Sequence, residues 1–174
     1  MTLKRFTLLA YVYNFFREFR PIYPLYALMF TEVGALSSEQ VSLLIMIWFT
    51  AALSAEIPTG VIADKISRRQ SAMIGQWMIV SVFIIWFLFP SFLGYAIGFI
   101  VWGFGFAFAS GATDAYAFDK IKQLGGEDGY TKFNSRASSI KVMGMFCAYV
   151  LASLLIQFGY DAVLIASIGV SAIA

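Results

Sequence analysis

Residues 71–89 read SAMIGQWMIVSVFIIWFLF, a run of apolar and small side chains without one ionisable group. As a helix rising 1.5 Å per residue this stretch is about 28 Å long, close to the ~30 Å hydrocarbon core of a bilayer. Outward from it the same texture returns five times, over 6–30, 40–63, 92–118, 138–158 and 162–174. Of the 174 residues, 60% are hydrophobic and 13% charged. A soluble domain carries roughly 25% charged residues. The expected class is an all-α integral membrane protein with six transmembrane helices in a single multi-pass bundle.

The connections carry helix-start chemistry. Ser37 with Gln40 has capping-box spacing, and Ser67 with Gln70 repeats it. Ser91 and Asp161 stand just ahead of the fourth and sixth blocks. Basic residues occupy alternate connections: Lys4 and Arg5, then Lys65, Arg68 and Arg69, then Lys120, Lys122, Lys132 and Arg136. The intervening connections hold Glu32, Glu39 and Asp161 and no base. Basic loops stay cytoplasmic, so an inside N-terminus is expected. Lys141, just inside the fifth block, can snorkel to the inner headgroups. The start, Met1 to Ala10, looks superficially like a signal peptide, but Arg17, Glu18 and Arg20 interrupt the apolar run and no small-x-small cleavage site follows. It reads as a retained first helix.

Several function classes lose their chemistry here. Histidine is absent, which removes Ser–His and Cys–His machinery and every His-containing metal motif. Cys147 is the sole cysteine, so no intrachain disulfide forms. No nucleophile elbow, P-loop or calcium-loop pattern is present. No cofactor and no metal are implied, and a formal charge of +2 does not point to nucleic acid. The inner connection 119–136, with Gly125-Gly126-Glu127-Asp128-Gly129, reads as a solvated linker between two three-helix units. In the fourth block Gly103, Ala107, Gly111 and Ala115 recur every fourth position, and Gly94 and Gly98 form another such pair, a stripe suited to close helix packing.

Arg17, Glu18 and Arg20 fall near the middle of the first block, where a charge facing lipid costs roughly 2.5–3.5 kcal/mol on insertion scales. On a continuous helix Tyr13, Asn14, Arg17, Glu18, Arg20, Pro21 and Pro24 share one arc narrower than a half-turn. That polar face is expected to line a cavity or the protein interior. One reading pairs Glu18 with one arginine and Glu56 or Asp114 with the other. The second offers the two arginines to an anionic substrate or a coupling carboxylate, with Pro21 and Pro24 kinking the helix beside them.

The segment Gly60-Val61-Ile62-Ala63-Asp64-Lys65-Ile66-Ser67-Arg68-Arg69 resembles the signature between helices 2 and 3 of the major facilitator superfamily, Gly-x-x-x-Asp-(Arg/Lys)-x-Gly-(Arg/Lys)-(Arg/Lys). Gly60, Asp64, Lys65, Arg68 and Arg69 match, while Ser67 replaces the glycine of a tight turn. Glu56-Ile57-Pro58-Thr59 and the segment from Ser110 to Asp119 also look similar to bacterial members. The resemblance implies a secondary transporter that moves a small solute by alternating access, bound in the plasma (inner) membrane of a bacterium. It implies a gate in which Asp64 contacts the second half and the fourth helix, with Asp119 or Asp114 as acidic partner of Arg68 or Arg69. Phe99 stands where proton-coupled members often carry an arginine before Gly103-Phe104-Gly105, and the Gly-Pro element of many drug antiporters is missing, so proton antiport is not supported. The chain would supply one six-helix half, 1–174, with a C-terminal half to follow and its sixth helix cut short. Expected partners are the bilayer, that missing half, a small solute, for which an anion would suit the two arginines, and a coupling ion. The competing class is a non-transporting membrane scaffold or assembly subunit. An intramembrane enzyme comes third.

Overall fold

The computed structural model describes residues 2–124 and 129–174, with the side chain of Asp64 outside the described part. Within it the chain is all-α: α1 (Leu3–Glu18), α2 (Tyr26–Glu32), α3 (Ser38–Lys65), α4 (Arg68–Leu88), α5 (Phe92–Gln123), α6 (Tyr130–Leu155) and α7 (Tyr160–Ile173), with a 3₁₀ turn at Ile156–Phe158 after α6. Four segments, Ser38–Ala63, Arg68–Leu88, Phe92–Gln123 and Tyr130–Phe158, are long and apolar enough to cross a membrane. They give the make-up of a multi-pass membrane protein. The outward faces agree: Leu53, Ile57 and Phe146 are 73%, 81% and 66% exposed, an arrangement suited to lipid and not to water.

The first apolar block corrects the expectation of one continuous helix over 6–30. α1 ends at Glu18, and the chain turns through residues 19–25 before α2 begins. Pro21 lacks an N–H and disfavours helical backbone at the residue before it, so the i→i−4 ladder stops there. The last block is short as well, 14 residues in α7.

Ser37 forms the full capping box with Gln40 and opens α3. Ser67 accepts the Gln70 N–H at 3.2 Å and Ser91 that of Gly94 at 3.3 Å. Asp161 is a different case from that expected: Gly159 caps α7, and Asp161 sits in the first turn, where its charge favours the exposed N–H groups.

The connection between α5 and α6 is also shorter than the expected 119–136. α5 runs on to Gln123 and α6 starts at Tyr130. Phe6 of α1, Ile121 of α5 and Phe133 and Ala137 of α6 form a buried cluster, which gives both extensions an apolar face to bury. Residues 125–128, the core of the glycine-rich linker, lie outside the described residues.

α4 packs along α5, α5 along α3, α1 on α6 and α7 on α4. Small residues set the closest approaches. A Cβ on Gly75 would fall 2.5 Å from the Gly105 carbonyl oxygen, and one on Gly103 would fall 2.7 Å from the Ala52 nitrogen. The regular stripe predicted on α5 divides, however. Gly103 lies against α3 and Gly98 against Trp86, while Gly111 faces open space. At the α2 end of the spans the core is aromatic: Phe30, Phe83, Trp86, Tyr95 and Phe99 pack edge to face between α2, α4 and α5. Tyr160 donates to the Glu32 carboxylate at 2.7 Å and ties α2 to α7.

Candidate functional site

The break in the first apolar block builds the site. Backbone polar groups at membrane depth need partners within the protein, because lipid supplies none. Here the Tyr23 N–H reaches the Arg20 carbonyl at 3.1 Å, and the Leu25 and Tyr26 N–H groups both reach that of Ile22 at 2.9 Å. The Ile22 N–H donates to Ser167 Oγ of α7 at 3.0 Å, and that hydroxyl donates to the Val163 carbonyl at 2.8 Å. A serine one helix away therefore completes the bend.

Arg20 is 3% exposed and lies inside the bundle. Its Nη1 donates to the Tyr23 hydroxyl, and its guanidinium carbon stands 5.4 Å from the Tyr23 ring centroid. Its Nη2 donates to Gln76 Oε1 of α4 at 3.3 Å, and Gln76 Nε2 donates to the Ser171 carbonyl of α7 at 2.6 Å. The Gln76 amide is thus oriented at both ends. Among the described residues the Arg20 Nε has no hydrogen-bond partner and no carboxylate forms an ion pair with Arg20. The expected counter-acids lie elsewhere. Glu56 and Asp114 are exposed, on α3 and α5. Arg17 and Glu18 approach each other at 3.9 Å, a loose contact between neighbours in sequence.

The single polar arc predicted for the first helix therefore splits at the bend. Asn14 is buried, with its amide donating to the Ala10 carbonyl of its own helix at 2.7 Å. Together with Tyr13, Arg69, Gln76, Thr113 and Ser171 it lines a cavity of about 570 Å³ between α1, α4, α5 and α7. Arg20 lies beyond Gln76, and Arg17 is absent from the lining. A separate cavity of about 390 Å³ opens beside Tyr23 between the bend, α3, α5 and α6, with an almost wholly aromatic lining.

At the other end of the spans, the α3–α4 connection is two residues, Ile66 and Ser67. Ser67 has φ 176°, an extended backbone open to any residue, so serine replaces the signature glycine without strain. Arg68 donates from Nη1 to Asp119 Oδ2 at 2.6 Å and to the Ala115 carbonyl at 3.3 Å, which clips this turn to α5. Both side chains of the pair are exposed. Arg69 points instead to the larger cavity. Gly60 and Glu56 flank a groove of about 290 Å³ between α3 and α5, and a Cβ on Gly60 would meet nothing. Lys65 closes the last turn of α3. Asp64 belongs to the same turn, but its side chain lies outside the described residues.

Compared with known proteins, the chain matches no family model, no curated protein and no solved structure. The site must be read from its own residues. Gln76, Tyr23, Ser167 and Ser171 are the members sequence reasoning missed. The signal for Gln76 was there, an amide in the middle of an apolar block, and Ser167 and Ser171 stand one helical turn apart in the last block.

Proposed function

We propose that this chain is the N-terminal half of a secondary transporter of the major facilitator type, which moves a small solute across a bacterial inner membrane by alternating access. The observation that carries the reading is Arg20, a buried cation held by neutral partners at a break in the first apolar block. Broken helices at membrane depth characteristically surround the ligand of secondary transporters, because irregular backbone is tolerated where it borders a cavity. A guanidinium there attracts an anionic group. The Arg68–Asp119 clip supports a gating role for the α3–α4 turn. In that role Lys65 and the motif residue Asp64 would contact the second half, and the N-terminus would lie inside the cell. Glu56 and Asp114, at the same end, would serve the gate and not the ligand.

The test is flux in proteoliposomes holding the full reading frame, with a panel of radiolabelled small organic anions. Saturable uptake or counterflow is expected, lost in Arg20→Lys while the elution profile and helix content stay unchanged. Lysine keeps the charge but offers one nitrogen where the guanidinium uses two to reach Tyr23 and Gln76. Unchanged flux in Arg20→Lys and in Arg17→Ala would remove the arginines from the mechanism. Absence of flux across the panel, together with copurification of a fixed membrane partner, would favour the scaffold class.

A further inference from the structure

The cavity beside the bend goes beyond a generic solute site. Its walls include Tyr23 from the bend, Tyr26 of α2, Trp48 of α3, Phe99 and Trp102 of α5 and Tyr149 of α6. Trp48 and Trp102 each lie ten residues from the outer ends of their spans, at Ser38 and Phe92, or roughly 15 Å along the helix. That is about half of the ~30 Å hydrocarbon core. Tryptophan and tyrosine normally gather at the two membrane interfaces, where the polar edge of the ring is wet. Here they converge at mid-depth instead. Among the described residues the Trp48 Nε1 is buried without a hydrogen-bond partner, as is that of Trp86 in the core.

The rings hold one another. Tyr23 stacks on Trp102 with centroids 5.3 Å apart and planes 14° apart, and Phe99 lies 7° from parallel with Trp102. Tyr26 and Trp48 meet Trp102 edge-on. A volume of about 390 Å³ is at the small end of ligand pockets, which span roughly 300–1,000 Å³. It suits a solute of one or two fused rings. Charge narrows the class further. Among the described residues no carboxylate lines the cavity, so the acid that often completes a cage for organic cations is not among its walls. The nearest cation, Arg20, already stands over Tyr23. A cationic ligand would meet that charge, whereas an anion would be drawn toward it.

From these observations we propose that the aromatic cavity binds the planar ring of an aromatic anion, with Arg20 biasing the site against cations. The proposal rests on the transport reading for its physiological sense but has its own readout. Binding of radiolabelled 1-naphthoate to the full-length protein in detergent is measured by equilibrium dialysis, with cyclohexanecarboxylate and phenyltrimethylammonium as competitors. Saturable binding is expected, and neither competitor should displace it. Tyr149→Leu and Trp48→Leu should each weaken it at least tenfold. Tyr149 is 42% exposed, so its variant should elute and melt as the parent does. Equal displacement by cyclohexanecarboxylate would overturn the aromatic preference, and displacement by phenyltrimethylammonium the charge preference. No saturable binding, as when the rest of the chain fills the cavity, would overturn the site itself. Naphthoate binding without flux of any solute would sink the transport reading and leave this one standing. Flux of a non-aromatic solute indifferent to Tyr149→Leu would do the reverse.

Discussion

Gly75 precedes Gln76, and its missing side chain lets α4 lie close enough to α5 to fix where Gln76 meets Arg20. An alanine there would place its Cβ 2.5 Å from the Gly105 oxygen and 2.9 Å from both the nitrogen and the Cβ of Ala109. Two of those three atoms are backbone, so no flexible side-chain tip can yield, and the helices must separate. Overpacking of this kind costs typically about 1–3 kcal/mol. Alanine recovers roughly 0.5–1 kcal/mol of backbone entropy relative to glycine. The difference spans about 0–2.5 kcal/mol, and three contacts under 3.0 Å put Gly75→Ala in its upper part. A net loss of roughly 1–2.5 kcal/mol follows, or a fall in Tm of roughly 2–10 °C at about 2–4 °C per kcal/mol for a chain of this size. Gly60→Ala and Gly111→Ala form the control, because a Cβ at either position meets nothing within 4 Å. They keep only the entropic gain and should melt at or slightly above the parent temperature. Cys147, the lone and half-buried cysteine, provides the assay: a thiol-reactive fluorophore reports its exposure as the detergent-solubilised protein is heated. A Gly75→Ala protein that melts with Gly60→Ala would refute the inference that backbone contact sets the α4–α5 spacing.

Gln76→Leu should lower stability by roughly 1–3 kcal/mol, because it strips the buried Arg20 of a hydrogen-bond partner; thermal unfolding of that variant checks this. A double-mutant cycle of Arg68→Ala and Asp119→Ala should return a coupling below about 1 kcal/mol that shrinks in high salt, since both side chains are exposed; a larger, salt-independent value would contradict the geometry. Burial and the Glu32 carboxylate push the Tyr160 phenol from 10.0 up to about 12. The neutral phenol is thus favoured by folding, and its contribution to stability is full below about pH 10 and disappears as pH rises through about 12. Melting curves between pH 9 and pH 12 should show that decline in the parent and a shallower one in Tyr160→Phe.

Much of this protein is a one-dimensional property. Long apolar runs such as 71–89 become helices because backbone groups deprived of water must pair within their own segment, and serines 37, 67 and 91 mark where those helices begin. The Arg68–Asp119 pairing was also legible as one of a few options, since the bases gather in alternate connections and Asp114 and Asp119 lie late in α5. The bend at residues 19–25 was half legible: two prolines announced a distortion, but a periodic wheel drawn through them put Arg20 and Arg17 on one face. Which partners meet a buried charge depends on which helices touch, and that is settled by small residues such as Gly75 and Gly105 that let backbones approach. Only the tertiary structure therefore gave Arg20 to Tyr23 and Gln76 and not to Glu56 or Asp114. The aromatic cavity was equally invisible, because residues as far apart in sequence as Tyr23, Trp48, Trp102 and Tyr149 read as ordinary apolar positions until the packing of four segments brings their rings to one depth.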